Sequence, residues 1–317
     1  MEKTVKRNVW SRTPIVVLTA AFCCLLWGSA APCIKIGYSL FCVTADDVPA
    51  IILFAGLRFT IAGLMVLAAG SLIEHRLLLP KKSSWKGIFT LAALQTVIQY
   101  ILFYNGVAHT SGVRCSIINA CGTFFSIAVS VLFFHFEKLT PAKVIGSIAG
   151  FLGVLLIVTN GEDISGEPFA MAGEGLLIIS TLSSAFAGCA IKLFSKDEDP
   201  VLLSGWQFFC GGLCMMGIGA IGGGRLIPTA ASCIPLILYM GFISAGAYTF
   251  WGILLKYNEV SKVTICGFMN PVFGVIISAI LLGEFSEAAN IYALAALLLV
   301  VAGIVIVNRP GKAANAG

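Results

Sequence analysis

Charge is what this sequence has least of. Only 11% of its 317 residues are Asp, Glu, Lys or Arg, and 58% are hydrophobic, where an ordinary soluble domain is about 25% charged. So few charged side chains cannot cover a water-soluble globule of this size, and most of the chain must be solvated by hydrocarbon. Chemical signatures are missing as well. No G-x-x-x-x-G-K-[ST] loop is present to cradle a nucleotide, which argues against ATP hydrolysis. Every Asp falls in a predicted loop, so the paired intramembrane carboxylates of an aspartyl protease are absent. No H-E-x-x-H occurs, no His/Cys cluster has metal-ligand spacing, and His75, His109 and His135 sit at predicted helix ends. We therefore expect no enzyme, no cofactor and no metal. The eleven cysteines are not a disulfide framework. Nine fall in apolar helices, where a free thiol packs as a small hydrophobe; Cys42 and Cys233 lie near one membrane face, where a bond between them stays open.

What the sequence does have is apolar runs of membrane-spanning length. They place ten helices near 14–38, 48–73, 85–108, 112–134, 142–159, 171–194, 202–224, 234–255, 261–282 and 289–307. With a cytoplasmic N-terminus, the inner segments collect Lys3, Lys6, Arg7, Arg12, Arg76, Lys81, Lys82, Lys86, Lys138, Lys143, Lys196, Lys256, Lys262, Arg309 and Lys312. The outer connections hold Arg225 together with Asp46, Asp47, Glu162, Asp163, Glu167, Glu284 and Glu287. By the positive-inside rule both tails, 1–13 and 308–317, face the cytoplasm, and the chain resides in the plasma (inner) membrane. The net charge of +5 is thus a matter of topology, and no nucleic-acid partner is expected. The basic start, apolar run and small residues Ser29, Ala30 and Ala31 also imitate a cleaved leader. Its removal would leave nine spans and spoil the charge pattern.

The spans divide into two five-helix halves, 14–159 and 171–307, joined by the acidic stretch NGEDISGEP. Homologous halves with an odd number of helices must sit upside down relative to each other. Echoes support a duplication: SAAPCIKIG around Lys35 with FAGCAIKLF around Lys192, GLRFTIAGL around Arg58 with GWQFFCGGL around Gln207, and FFHFEKLTP around Glu137 with LLGEFSEAA around Glu284. WGSAAPCIK in helix one, LRF in helix two, NPVFGVIISAILLGE in helix nine and AGIVIV in helix ten together resemble the EamA-type transporters of the drug/metabolite transporter superfamily. The first-half counterpart of helix nine, NACGTFFSIAVSVLFFHFE, lacks the Pro and the Gly before Glu. The resemblance implies ten helices in two inverted repeats, transport of small organic solutes such as amino acids, often by export, and alternating access around a cavity between the halves.

The polar residues locate a cavity without that resemblance. A polar group at mid-membrane is costly unless it faces protein or water. Gln95 and Gln99 lie four apart on helix three, so both amides should leave one face. Asn119 on helix four, Tyr248 and Trp251 on helix eight and Asn270 on helix nine are further candidates for solute contact, with Trp27 of helix one as an aromatic wall. Each could instead serve interhelical bonding or packing. Pro271 and Pro32 each free a backbone carbonyl and offer hinges. Arg58 lies 15 residues from the inner end of its helix, about 22 Å up a core of about 30 Å. With Lys35 and Arg114 it forms either a charged vestibule for anions or a set of snorkelling and paired side chains. Glu174 is the carboxylate that penetrates the membrane, hence the candidate for proton coupling; uniport and exchange remain open.

Helices five and ten carry few polar side chains and read as scaffold or as a homodimer surface. The GSIAG of helix five allows close approach of backbones, inside one chain or between two. The expected partners are a small-molecule solute and membrane lipid. A lipid-carrier flippase and a non-transporting sensor or assembly partner are the alternative functions.

Overall fold

The computed structural model describes residues 8–44, 46–107, 109–110, 112–159, 170–282 and 291–309. Among them are no strands and ten helices long and apolar enough to cross a membrane. They are α1 (Thr13–Leu40), α2 (Val48–Ile73), α3 (Ser84–Val107), α4 (Arg114–Leu132), α5 (Pro141–Thr159), α6 (Met171–Phe194), α7 (Pro200–Ile221), α8 (Cys233–Tyr257), α9 (Val260–Ile277, helical on to Leu282) and α10 (Ile291–Asn308). The spans predicted from hydropathy are all present. The linker Asn160–Pro168, Glu284, Glu287, Lys3, Lys6, Arg7 and Lys312 lie outside the described residues.

Local chemistry sets the helix starts. Asp47 accepts the Ala50 N–H at 2.9 Å ahead of α2, and Asp199 accepts the Val201 N–H at 2.8 Å ahead of α7. Each cap is followed by a Pro in the first turn, where the missing N–H does no harm. Thr140 and Pro141 start α5, with the Lys143 N–H 3.4 Å from Thr140 Oγ1. One face of the bundle gathers the connections that carry Arg76, Lys138, Lys196 and the α8–α9 corner; we call it the basic face. The other, the acidic face, holds Asp46, Asp47 and the α7–α8 connection, where the Ile227 and Thr229 N–H groups bond the Phe41 and Leu40 carbonyls.

The tightest packing joins α2 to α7, antiparallel and almost backbone to backbone. A Cβ on Gly63 would stand 2.4 Å from the Phe209 nitrogen and 2.8 Å from the Gly205 oxygen; one on Gly56 would meet the Gly212 oxygen at 2.9 Å. Between these crossings the Phe59 and Phe208 rings stack at 5.4 Å and 9°. Gly56, Phe59 and Gly63 stand 149 positions before Gly205, Phe208 and Gly212, the offset of the echo around Arg58, so the contact relates the two halves to each other. The other main pairings follow the same exchange: α1 packs on α8 and α9 as α6 packs on α3 and α4, α2 on α8 as α7 on α3, and α5 on α10.

Gly146 of GSIAG faces α10 of the same chain, and Gly150, in contact with Gly303, faces the Phe268 ring of α9. A Cβ on Gly146 would meet the Gly303 oxygen at 2.8 Å. That small-residue stripe serves packing within one chain, so it is not a face left for a second copy. All eleven cysteines are free; Cys233 is buried with its Sγ donating to the Leu40 carbonyl at 3.3 Å, and no bond joins it to the exposed Cys42.

Candidate functional site

Side chains from five helices meet at mid-depth in a continuous aromatic array. Trp27 of α1 stands edge-on to Trp251 and Tyr248 of α8, with ring centroids 5.0 and 5.1 Å away. The i, i+3 spacing of Tyr248 and Trp251 puts both on the face of α8 that α1 covers. The Tyr248 and Tyr100 hydroxyls are 2.7 Å apart, tying α8 to α3. Tyr100 continues to Phe59 of α2 at 4.5 Å and to Tyr104 at 5.9 Å, and Phe208 of α7 packs on Tyr248 at 5.2 Å.

Arg58 lies against this array, 4% exposed, its guanidinium carbon 4.5 Å from the Phe59 ring and 5.6 Å from that of Tyr100. The ring quadrupoles attract the cation. It has no hydrogen bond and no carboxylate partner among the described residues. Arg58 Nε, Trp27 Nε1 and Gln99 Oε1 are all buried without a partner. Three orphaned polar atoms around one array are unusual, since buried polar groups are nearly always paired.

The local form of α3 decides which side chains reach the array. Residues Ala92–Ile98 are wound as a π-helix, the wide turn often found at functional sites. Ser183 and Ser180 of α6 donate to the Leu94 and Gln99 carbonyls at 2.7 Å each. The wide turn also breaks the four-residue spacing expected to align Gln95 with Gln99. Gln95 points to α7, where its Oε1 accepts from Gln207 Nε2 at 3.0 Å while Thr96 donates to Gln207 Oε1 at 2.9 Å. Gln99 lies beside the Tyr248 hydroxyl. Tyr100, not singled out from sequence, joins the array; an aromatic hydroxyl next to Gln99 at mid-depth was the available signal.

The remaining expected residues are placed as follows. Asn119 is exposed on α4, with Thr181 Oγ1 3.4 Å from its Oδ1. Asn270 is half-buried on α9. Pro271 follows a 3-10 turn at Ile265–Phe268, where the missing N–H leaves the Gly267 carbonyl without its helical partner. Pro32 is buried within α1. Of the three cations expected together, Arg58 alone reaches the array. Lys35 is exposed near the acidic end of α1, and Arg114 Nη1 is 3.0 Å from Glu174 Oε1. Glu174 also accepts from Thr110 Oγ1 at 2.7 Å and from the Ala170 N–H at 2.8 Å, so its carboxylate ties the start of α6 to the α3–α4 connection.

Above and below the array the bundle differs. Toward the basic face α4 and α9 are joined: Thr123 Oγ1 donates to the Thr264 carbonyl at 3.1 Å, and Thr123, Ile127, Val129 and Val260 to Cys266, apart from Lys262, are buried. At the basic end Glu137, its side chain 2% exposed, takes Lys143 Nζ at 2.8 Å, the Ser261 N–H at 3.1 Å and Ser261 Oγ at 2.5 Å. Lys143 also meets Glu259 at 3.1 Å, and Glu259 meets Lys262 at 3.5 Å. Burial raises the Glu259 carboxyl pKa, but Lys143 and Lys262 outweigh it and hold the group below its ordinary 4.5. Lys192 Nζ donates to the Leu255 carbonyl at 2.8 Å and to that of Asn258 at the end of α8. Glu137, noted in the sequence only as the centre of a repeat echo, is the centre of this seal.

Toward the acidic face the two helices part. Past the interruption at Cys121, Cys115 is the one buried side chain among the described residues of α4 from Arg114 to Ala120; Asn119 is exposed and the others are partly exposed. Past the 3-10 turn, Val272 is the sole buried side chain between Met269 and Ile277. The array is thus sealed from the basic face and bordered on its other side by separated helices. A cleft of about 410 Å³ at the basic face, lined by residues between Trp10 and Tyr257 that include Lys196 and Glu198, touches no member of the array.

Comparison with known proteins agrees with this architecture. The EamA-like transporter family matches residues 14–159 and 171–309. An uncharacterized transporter of Bacillus subtilis, YvbV, is 28% identical over 306 residues, 94% of this chain and 93% of that protein. A Salmonella typhimurium protein named as a probable amino-acid metabolite efflux pump is 27% identical over 206 residues, 60% of this chain and 65% of that one. A solved crystal structure with 17% identity superposes at a TM-score of 0.73, covering 96% of this chain and 99% of that chain, and shares the fold.

Proposed function

Because the chain belongs to the EamA-like transporter family, we propose that it carries small organic metabolites, amino acids or related solutes, across the membrane by alternating access, as a secondary or passive exporter and not as an enzyme. The observation that carries this reading is a mid-depth site sealed at one end while its bordering helices separate at the other. Trp27, Gln99, Tyr248 and Trp251 contact the solute beside Arg58, and Asn119 and Asn270 line the approach between α4 and α9. Movement occurs where those helices are interrupted, at Cys121 and at the 3-10 turn before Pro271, so closing the acidic end and breaking the basic seal are one event. The exchange of packing partners between halves supports two inverted repeats, 14–159 and 171–307. The basic face is cytoplasmic, as the charge asymmetry supports, which puts both termini inside and the protein in the plasma (inner) membrane. The name of the Salmonella relative supports export as the direction.

The test is cysteine accessibility in a cysteine-free background. Asn119→Cys should react with an impermeant thiol reagent from the acidic side, and Thr264→Cys, below the array, from the basic side. Reaction of neither residue, or of both from one side only, would sink alternating access and favour a static membrane protein.

A further inference from the structure

Among the described residues, the membrane interior of this protein holds a cation without a counter-ion. α1, α2, α3, α4, α7, α8 and α9 contain no Asp or Glu, and Glu174 of α6 is engaged by Arg114. Arg58 is nevertheless buried at the centre of the array, with Nε unpartnered. A guanidinium stays charged in proteins and is expensive in a low-dielectric interior unless it is paired. The Phe59 and Tyr100 rings lie against it but offer it no negative charge. The sequence echo makes the asymmetry plain: Gln207 occupies the matching place on α7, and its amide is satisfied by Gln95 and Thr96. One side of the centre thus carries a satisfied neutral amide, the other a buried charge without a partner among the described residues.

We propose that the solute is an organic anion, a carboxylate with a planar or apolar body, and that it supplies the counter-ion Arg58 lacks. This rests on the array being the transport site. The carboxylate takes guanidinium N–H groups, Nε–H among them, in the two-pronged geometry that suits this pair. The body lies against the Trp27 and Tyr248 rings. The unpartnered Trp27 Nε1–H and Gln99 Oε1 supply a donor and an acceptor for polar atoms elsewhere on the solute. Tyr100 and Tyr248 use one hydroxyl proton between them and keep the other for a ligand. A neutral analogue would leave Arg58 uncompensated, so the site discriminates on charge more strongly than on shape.

The experiment compares three aromatic acids with their primary amides, in chloride-free buffer on the purified full-length protein: indole-3-acetate, 3-phenylpropionate and N-acetylphenylalanine, each titrated to about 10 mM and read by thermal stabilisation. At least one acid should bind about tenfold or more tightly than its amide, Arg58→Gln should bring acid and amide to parity, and Arg58→Lys should keep a reduced preference. Acid binding no tighter than amide binding, no acid-specific shift anywhere in the panel, an acid preference that survives Arg58→Gln, or a full effect from chloride alone would each overturn the assignment. The comparison within the unsubstituted protein decides the matter even where Arg58→Gln does not fold. If the accessibility pattern of Asn119→Cys and Thr264→Cys holds while the acids fail, the anion assignment falls and transport stands. If the accessibility pattern fails as well, the transport reading falls with it.

Discussion

Removing the charge of Glu137 should open the basic end of the bundle. The carboxylate receives three donors: the Lys143 ammonium, the Ser261 N–H and the Ser261 hydroxyl. In Glu137→Gln the amide oxygen keeps the N–H bond, while the NH₂ faces the ammonium and the hydroxyl at 2.8 and 2.5 Å. Lys143 retains Glu259 at 3.1 Å and the Lys138 carbonyl at 2.9 Å, so no charge is stranded and the full penalty of a broken buried pair does not apply. What is lost is the charge-assisted bond to Lys143, about 2–3 kcal/mol, since the Ser261 hydroxyl can turn and accept from the new NH₂. If the cluster forms only in the sealed arrangement, the equilibrium shifts toward the opened one by roughly 30- to 150-fold. Cys189, fully buried and close to Glu137, is the natural reporter. With every other cysteine removed, its modification by an impermeant reagent from the basic face should accelerate by that factor. In a parallel chain, Asn119→Cys should react more slowly from the acidic face. A Cys189 rate within about twofold of the unsubstituted chain would refute the seal, and acceleration of both reporters would mean general loosening instead.

Three further outcomes are expected. Gly63→Ala should lower the melting temperature sharply, because its Cβ would meet backbone at 2.4 Å, while Gly217→Ala, with nothing within 4 Å, should leave it unchanged or slightly raised; equal effects would contradict the α2–α7 contact. Glu174→Gln should lower the melting temperature, because the carboxylate accepts from Arg114, Thr110 and the Ala170 N–H, and should leave any proton dependence of transport in a proteoliposome assay unchanged; intact stability with lost proton dependence would make Glu174 a coupling residue. The Glu259 carboxyl is held below 4.5, so its contribution to the seal is present above that value and lost as the pH falls through its depressed pKa. Cys189 labelling, divided at each pH by the labelling rate of an exposed reference thiol to remove the common loss of thiolate, should therefore be flat between about pH 8 and 5.5 and rise only in stronger acid, whereas a rise near neutrality would place another titrating group in the seal.

The parts of the fold legible in sequence were those that solvent dictates. Hydrocarbon tolerates few charges, so span number and rough limits follow from apolar runs, and the isolated Arg58 stood out as a cost requiring explanation. Trp27, Tyr248 and Trp251, which the structure packs together, stood out for a similar reason: large amphipathic rings away from the headgroup level. What escaped depended on geometry that helical periodicity does not carry. The π-turn at Ala92–Ile98 sends Gln95 to α7, leaves Gln99 near Tyr248 and brings in Tyr100. Glu137 looked peripheral because it follows the end of a span, yet the fold buries it beneath the α8–α9 corner. Arg114 and Lys35 share a leaflet with Arg58 but not its neighbours, a distinction that depth alone cannot make.

The glycine contact between α2 and α7 also constrains how the protein is made. About 150 residues separate Gly56 from Gly205, so at roughly 5–20 residues per second the second helix waits about 7 to 30 seconds in the bilayer before its partner is synthesised. Until then the N-terminal half exposes its glycine groove to lipid, and it cannot mature as a separate unit. Assembly is therefore post-insertional, and the two halves, produced as separate polypeptides, should recognise each other through that groove. A gene split within the linker ought to yield a functional protein, with each fragment unstable until it finds the other.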